Sequence, residues 1–197
     1  GLEPAEWPAI PADGIPEGGA AVLFLSSDPT AIMPENQVPL SCPVTPAVDA
    51  STYVPGSGRG AAFEIFSDIP VTTYDILPFG GARSHFPSAE LMYPTSVWGT
   101  NYLAILPPAG THHTPGPLWM QVVGLEDDTT VTLVAKANLQ GGGGLAGATA
   151  GDPVDFTVDA GEYLQWEIAG NQEATGTVLQ SDQPLALFSG TRFLRLQ

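Results

Sequence analysis

The chain of 197 residues holds a single lysine, Lys136, and a single cysteine, Cys42. One cysteine allows no intrachain disulfide, so the fold must rest on its packed core. Cys42 is read as a buried or partly exposed free thiol, with intermolecular pairing as the alternative, and no His or Asp stands close in sequence to suggest an activated nucleophile. Positive charge is equally scarce: 5 basic residues face 21 acidic ones, for a formal charge of −16. Such a chain repels phosphate backbones and anionic bilayers, which argues against nucleic acid and membrane surfaces as partners. Long apolar runs are missing too, and nothing approaches the roughly 18 residues of a spanning helix, so no membrane span is expected. Gly1-Leu2-Glu3-Pro4 shows neither the basic nor the apolar region of a signal peptide, as in a chain already processed or excised. Helical periodicity is also absent: no dozen residues carry apolar side chains at i, i+3, i+4 and i+7.

Apolar residues, at 43%, are plentiful enough for a core, whereas charged residues reach only 13%. The 23 glycines and 20 prolines are scattered between apolar runs, which reads as many turns. Residues 1–19, rich in Pro, Gly and acid, read as an extended N-terminal arm. Residues 34–60 form the longest irregular stretch, with Gly56-Ser57-Gly58-Arg59-Gly60 as its most flexible point. Strands are expected at 20–26, 62–67, 71–77, 98–106, 118–125, 129–135, 156–158, 163–168, 177–181, 185–188 and 192–196. Glu126-Asp127-Asp128 would turn a hairpin, after which Val131, Leu133 and Ala135 alternate with Thr130 and Thr132, the period of a half-buried strand. Trp98, Trp119 and Trp166 lie inside apolar strands and are expected in the core, while Trp7 lies in the arm. About eleven short strands with turns between them predict an all-β, antiparallel β-sandwich, with a barrel as the lesser alternative.

One pattern occurs twice. Ser67-Asp68-Ile69-Pro70 and Ser181-Asp182-Gln183-Pro184, 114 residues apart, each follow apolar residues and lead into a β run ending in an aromatic. Ser and Asp fold back on their own backbone to start a turn, and Pro fixes φ while removing a donor. Ser67, Asp68, Pro70, Ser181, Asp182 and Pro184 therefore read as strand corners, and the pair suggests a duplicated β unit. Residues 20–197 would form the sandwich, as two packed halves of about 20–109 and 116–197.

The stretches AFEIFSDIPVTTYDILPFGGA (62–82), LMYPTSVWGTNY (91–102), VVGLEDDTTVTLV (122–134), FTVDAGEYLQ (156–165) and TVLQSDQPLALFSG (177–190) stand in an order that resembles the IgG Fc-binding protein family. The resemblance covers residues 60–197 and leaves 1–59 outside. It implies an extracellular module without assigned catalysis, used in adhesion, matrix building or recognition. Its members include large secreted animal proteins and bacterial surface proteins, myxobacterial ones among them, and scant Lys with abundant Ala, Gly and Pro fits the bacterial group. Binding of IgG does not follow from it, and the cysteines common in secreted relatives are missing here.

Residue patterns for chemistry are sparse. His112 and His113 are adjacent, so in a strand they face opposite ways, and His85 stands 27 residues upstream of the pair. A solvated loop explains them better than a metal site. Asp127 and Asp128 beside Glu126 could supply hard oxygen ligands to calcium, as could the loop with Asp152, Asp155 and Asp159, although turns attract Asp for backbone reasons alone. Glu64, Asp68, Asp75, Glu162 and Glu167 could build an acid/base pair, as carboxylates can in any acidic protein. No G-x-S-x-G is present, and the glycines 141–144 lack the Lys of a P-loop and read as a linker. The expectation is no catalytic residue, no cofactor other than calcium, and a protein or glycan partner at the cell surface, including self-assembly. A carbohydrate-binding module, which would present two exposed coplanar aromatics, is the alternative. A carbohydrate-active hydrolase or lyase is the lesser one.

Overall fold

A computed structural model of the chain describes residues 13–26, 45–50, 52–77, 88–108 and 117–191. Trp7, Cys42, His85, His112, His113 and the expected strand at 192–196 lie outside the described residues. The described secondary structure consists of β-strands, two single-turn 3-10 segments and no α-helix. Every strand ladder is antiparallel. The chain is all-β, as its turn-rich composition and missing helical periodicity require.

Among the described residues nine strands follow one another: β1 (Gly58–Ala61), β2 (Thr73–Leu77), β3 (Ser88–Met92), β4 (Gly99–Leu103), β5 (Leu118–Gly124), β6 (Thr129–Val134), β7 (Pro153–Val158), β8 (Glu162–Glu167) and β9 (Val178–Thr191). They fall into two compact units, one comprising Gly1–Tyr53 with Thr72–Met92 and the other Val54–Val71 with Tyr93–Gln197. In the first unit β2 and β3 form a two-stranded sheet that sets Asp75 opposite Glu90. The expected strand at 20–26 is reduced there to one bridge, Ser26 to Val48, supported by backbone bonds from Ala47 and Val48 to the carbonyls of Phe24 and Leu25.

The second unit contains a seven-stranded sheet ordered β1-β8-β5-β9-β6-β7, with β4 also on β9. The two strands expected at 177–181 and 185–188 are a single 14-residue strand, β9. Its first residues lie between β6 and β4, and from Leu185 onward it pairs with β5. β9 thereby belongs to two half-sheets, and both contribute their inner faces to one core. Met120, Val122, Leu164 and Trp166 come from one side, Val131, Leu133, Phe156, Val158 and Leu179 from the other. Phe156 and Trp166 meet edge to face at 4.8 Å. This is the sandwich that the alternating Thr/Val pattern of β6 implies: Val131 and Leu133 are buried, while Thr130 and Thr132 are half-buried on the outer face.

Local expectations shift in four places. Residues 56–60 are not a flexible point, because Gly58–Ala61 pairs with β8 and each neighbour is tied down. Ser57 Oγ donates to the Gln140 carbonyl at 2.7 Å and accepts from the Glu167 N–H at 2.9 Å, and Arg59 pairs with Glu162. Residues 62–67 are not a strand; beyond the Ala62 N–H to Gly161 bond the chain leaves the sheet. The glycines 141–144 are not a linker but a closed turn, with Gly142 and Leu145 exchanging backbone bonds while Leu145 enters the core. Of the three tryptophans expected in the core only Trp166 is fully buried, its indole N–H donating to the Ala146 carbonyl, and Trp98 and Trp119 are half-buried. The buried polar side chains Thr129, Gln165 and Thr177 all have hydrogen-bond partners.

Candidate functional site

At the second Ser-Asp-x-Pro, β9 bulges. Gly99 and Asn101 of β4, two residues apart, oppose Leu185 and Gln180, five apart, so the intervening residues are extruded from the ladder. Ser181 Oγ donates to the Gln183 carbonyl at 2.6 Å, closing the turn locally. The first copy does the same: Ser67 Oγ donates to the Ile69 carbonyl at 2.7 Å. Both serines fold back on their own backbone as their sequence predicts, but only the second sits inside a paired strand. Asp182 leaves its own turn and accepts from the Thr130 N–H at 2.8 Å, holding the start of β6. Pro184 is half-buried just before β9 resumes its ladder at Leu185.

Beside this bulge lies an open depression of about 330 Å³ lined by Thr130, Thr132, Gln180, Ser181 and Asp182. Every lining side chain is a hydrogen-bonding one. Thr132 Oγ1 donates to Asp155 Oδ1 at 2.6 Å, while the Gln180 amide makes no side-chain hydrogen bond among the described residues. Thr130 and Thr132 were legible as outward-facing from their alternation with Val131 and Leu133. Gln180 carried no signal in the sequence, since its neighbours come from β6 and β4.

The acidic turns hold one another through backbone hydrogen bonds. Asp127 Oδ1 accepts from the Ala160 N–H at 3.2 Å, and Asp159 Oδ1 accepts from the Asp128 N–H at 3.0 Å, so the β5–β6 and β7–β8 turns cap each other. Asp128 takes a left-handed conformation, φ 55°, which Asp tolerates better than most residues. Gly124 lies so near that an added Cβ would come 2.5 Å from the Asp159 carbonyl oxygen. Among the described residues no group of three or more His, Cys, Asp or Glu is arranged to hold a metal.

Of the carboxylates weighed as acid/base partners, Asp75 faces Glu90 across β2 and β3. Glu162 receives Arg59 Nε and Nη2 at 2.6 Å each, and this pairing pulls its pKa below the usual carboxylate range. Glu167 accepts from Gln140 Nε2 at 3.3 Å, and Glu64 and Asp68 are exposed. Glu90, which the sequence reading passed over, is pushed upward, first by desolvation and then by Asp75 across the hairpin.

A second feature is apolar. From residue 63 to 71 the chain belongs to no strand, and Phe63, Ile65, Phe66, Ile69 and Val71 are exposed, Phe66 by 88%. Exposed apolar groups this numerous in one short segment exceed the single scattered residues normal for a protein surface.

A family model described as IgGFc binding protein matches residues 88–197, so the stretch 62–82 that contributed to the sequence resemblance lies outside the matched part. No curated protein and no solved structure matches the chain. Among the described residues no helix is long and apolar enough to cross a membrane.

Proposed function

The chain belongs to the IgGFc binding protein family, and from that premise we propose a non-catalytic extracellular or cell-surface module that binds a protein partner in adhesion or structural assembly. The observation that carries this reading is the run of exposed Phe63, Ile65, Phe66, Ile69 and Val71. Water contact on this much apolar surface costs free energy that a partner's surface would relieve, at about 25 cal/mol per Å² covered. The strong negative charge of the chain keeps the exposed surface from aggregating indiscriminately and favours partners that are neutral or basic.

The test is retention of the labelled protein on an extracellular-matrix preparation before and after protease treatment of that matrix. The wild-type chain is expected to be retained on the untreated matrix, and the Phe66→Ser/Ile69→Ser variant to wash off. Retention that survives protease treatment, or that is equal in the variant, would overturn the reading.

A further inference from the structure

The outer face of β7, β6, β9 and β4 carries its side chains in rows set by the strand register. Asp155 pairs with Thr132, Thr132 with Gln180, and Gln180 with Asn101, so these four polar side chains form one line across four strands. Cross-strand partners project on the same side of a sheet, and strands lie about 4.8 Å apart, so the line runs about 14 Å. The next row, Pro153, Val134, Val178 and Leu103, is wholly apolar, with Val178 46% and Leu103 62% exposed. The depression described above takes in Thr132 and Gln180 at the middle of the polar row and extends to Asp182.

We infer that this face is a carbohydrate-binding strip for a neutral oligosaccharide lying across the strands. A sugar chain has polar hydroxyl edges and apolar ring faces, and here a line of hydrogen-bonding groups runs parallel to an aliphatic ledge. The available atoms are mostly acceptors. Asp182 uses Oδ1 for the Thr130 N–H and Asp155 uses Oδ1 for Thr132, which leaves an Oδ2 on each, while Asn101 Nδ2 is taken by Thr100 Oγ1 at 3.0 Å, which leaves its Oδ1. Gln180 adds an amide with both donor and acceptor uncommitted. Two carboxylates on a chain of formal charge −16 repel uronic or sulfated sugars and accept readily from hydroxyls, so the charge selects a neutral ligand. The aliphatic ledge takes the place of the aromatic platform common to sugar sites. The strip is separate from the apolar run at 63–71, and its test does not depend on a protein partner.

The probes are neutral hexasaccharides of β-1,4-glucan, β-1,4-mannan and α-1,4-glucan, with polygalacturonate as the anionic control, titrated calorimetrically into the full chain. At least one neutral hexamer is expected to bind and polygalacturonate is not. Thr132→Val/Gln180→Leu should weaken that binding at least tenfold, and Gln180→Ala alone, which removes no internal hydrogen bond, should weaken it while leaving the melting temperature unchanged. No binding of any neutral hexamer, preference for polygalacturonate, or equal affinity in Gln180→Ala would overturn the inference. So would loss in that variant of protein-partner retention alone.

Discussion

The phenol of Tyr102 donates a 2.6 Å hydrogen bond to the carbonyl of Leu185, the residue at which β9 resumes its ladder after the bulge. The same oxygen accepts from the Gly99 N–H at 2.8 Å, so Tyr102, itself paired beyond the register shift, ties down the Gly99–Leu185 pair on its other side. Leu185 is fully buried, and its carbonyl has little access to water. Tyr102→Phe should cost about 1–3 kcal/mol by leaving these backbone groups without a partner. Chemical denaturation would show this as a lower midpoint at unchanged slope, and a midpoint equal to wild type would show that the phenol does not hold the bulge.

The Arg59–Glu162 pair fastens the edge strand β1 to β8, with side chains 39% and 20% exposed. The folded-state pKa of Glu162 lies below its unfolded value, chiefly through the Arg59 hydrogen bonds. Its contribution is therefore fully present above the unfolded pKa of about 4.3 and lost as pH falls through the folded value. Partial exposure and screening hold it to about 0.5–1 kcal/mol. Glu162→Gln should lower stability at neutral pH by that amount, and the gap to wild type should close in acid. A gap that persists undiminished at pH 2 would contradict the linkage.

Gly124 has no room for a side chain, since an added Cβ would meet the Asp159 backbone oxygen at 2.5 Å. Gly124→Ala should therefore push apart the two mutually capping turns and cost about 1–3 kcal/mol. Hydrogen exchange at the Asp128 and Ala160 amides, which Asp159 and Asp127 cap, should speed up first. Unchanged protection at both amides would mean that the turns can shift independently.

Asp127 and Asp159 spend carboxylate oxygens on backbone N–H groups, and we propose that these turns hold their shape without calcium. The melting temperature in EGTA should match that in calcium within error. Asp127→Ala should lower it through the lost Ala160 bond, an effect of about 0.5–1.5 kcal/mol. Calcium-dependent stabilisation that Asp127→Ala abolishes would instead make the turn a cation site.

β2 and β3 place Asp75 directly opposite Glu90, and like charges in that position destabilise an antiparallel pair. The raised pKa of Glu90 means that this cost appears as pH rises through its titration. Glu90→Gln should stabilise the hairpin at neutral pH by about 0.2–1 kcal/mol and have no effect in acid. Thermal melts at pH 3 and pH 7 would distinguish the two, and a variant no more stable than wild type at pH 7 would rule out the repulsion.

Composition and local pattern were enough to settle that the chain is β: absent helical periodicity, dispersed Gly and Pro, and the Val131/Leu133 alternation each act within a few residues. The second Ser-Asp-x-Pro was equally legible, because a serine reaching the carbonyl two residues on is a local event, seen at both Ser67 and Ser181. What those residues do was decided at long range. Only β4 and β6 pairing on either side of Gln180 make the 181–184 segment a bulge in one long strand rather than a corner between two. Gly56-Ser57-Gly58-Arg59-Gly60 reads as slack chain because its partners, Gln140, Glu162 and Glu167, lie about a hundred residues away and tie it to β8. Residues 62–67 read as a strand because their apolar content favours one, yet no described strand runs beside them, and Phe63, Ile65 and Phe66 stay exposed. Backbone preference is written in neighbouring residues; whether a strand finds a partner, and which face it then turns to water, depends on strands distant in the chain.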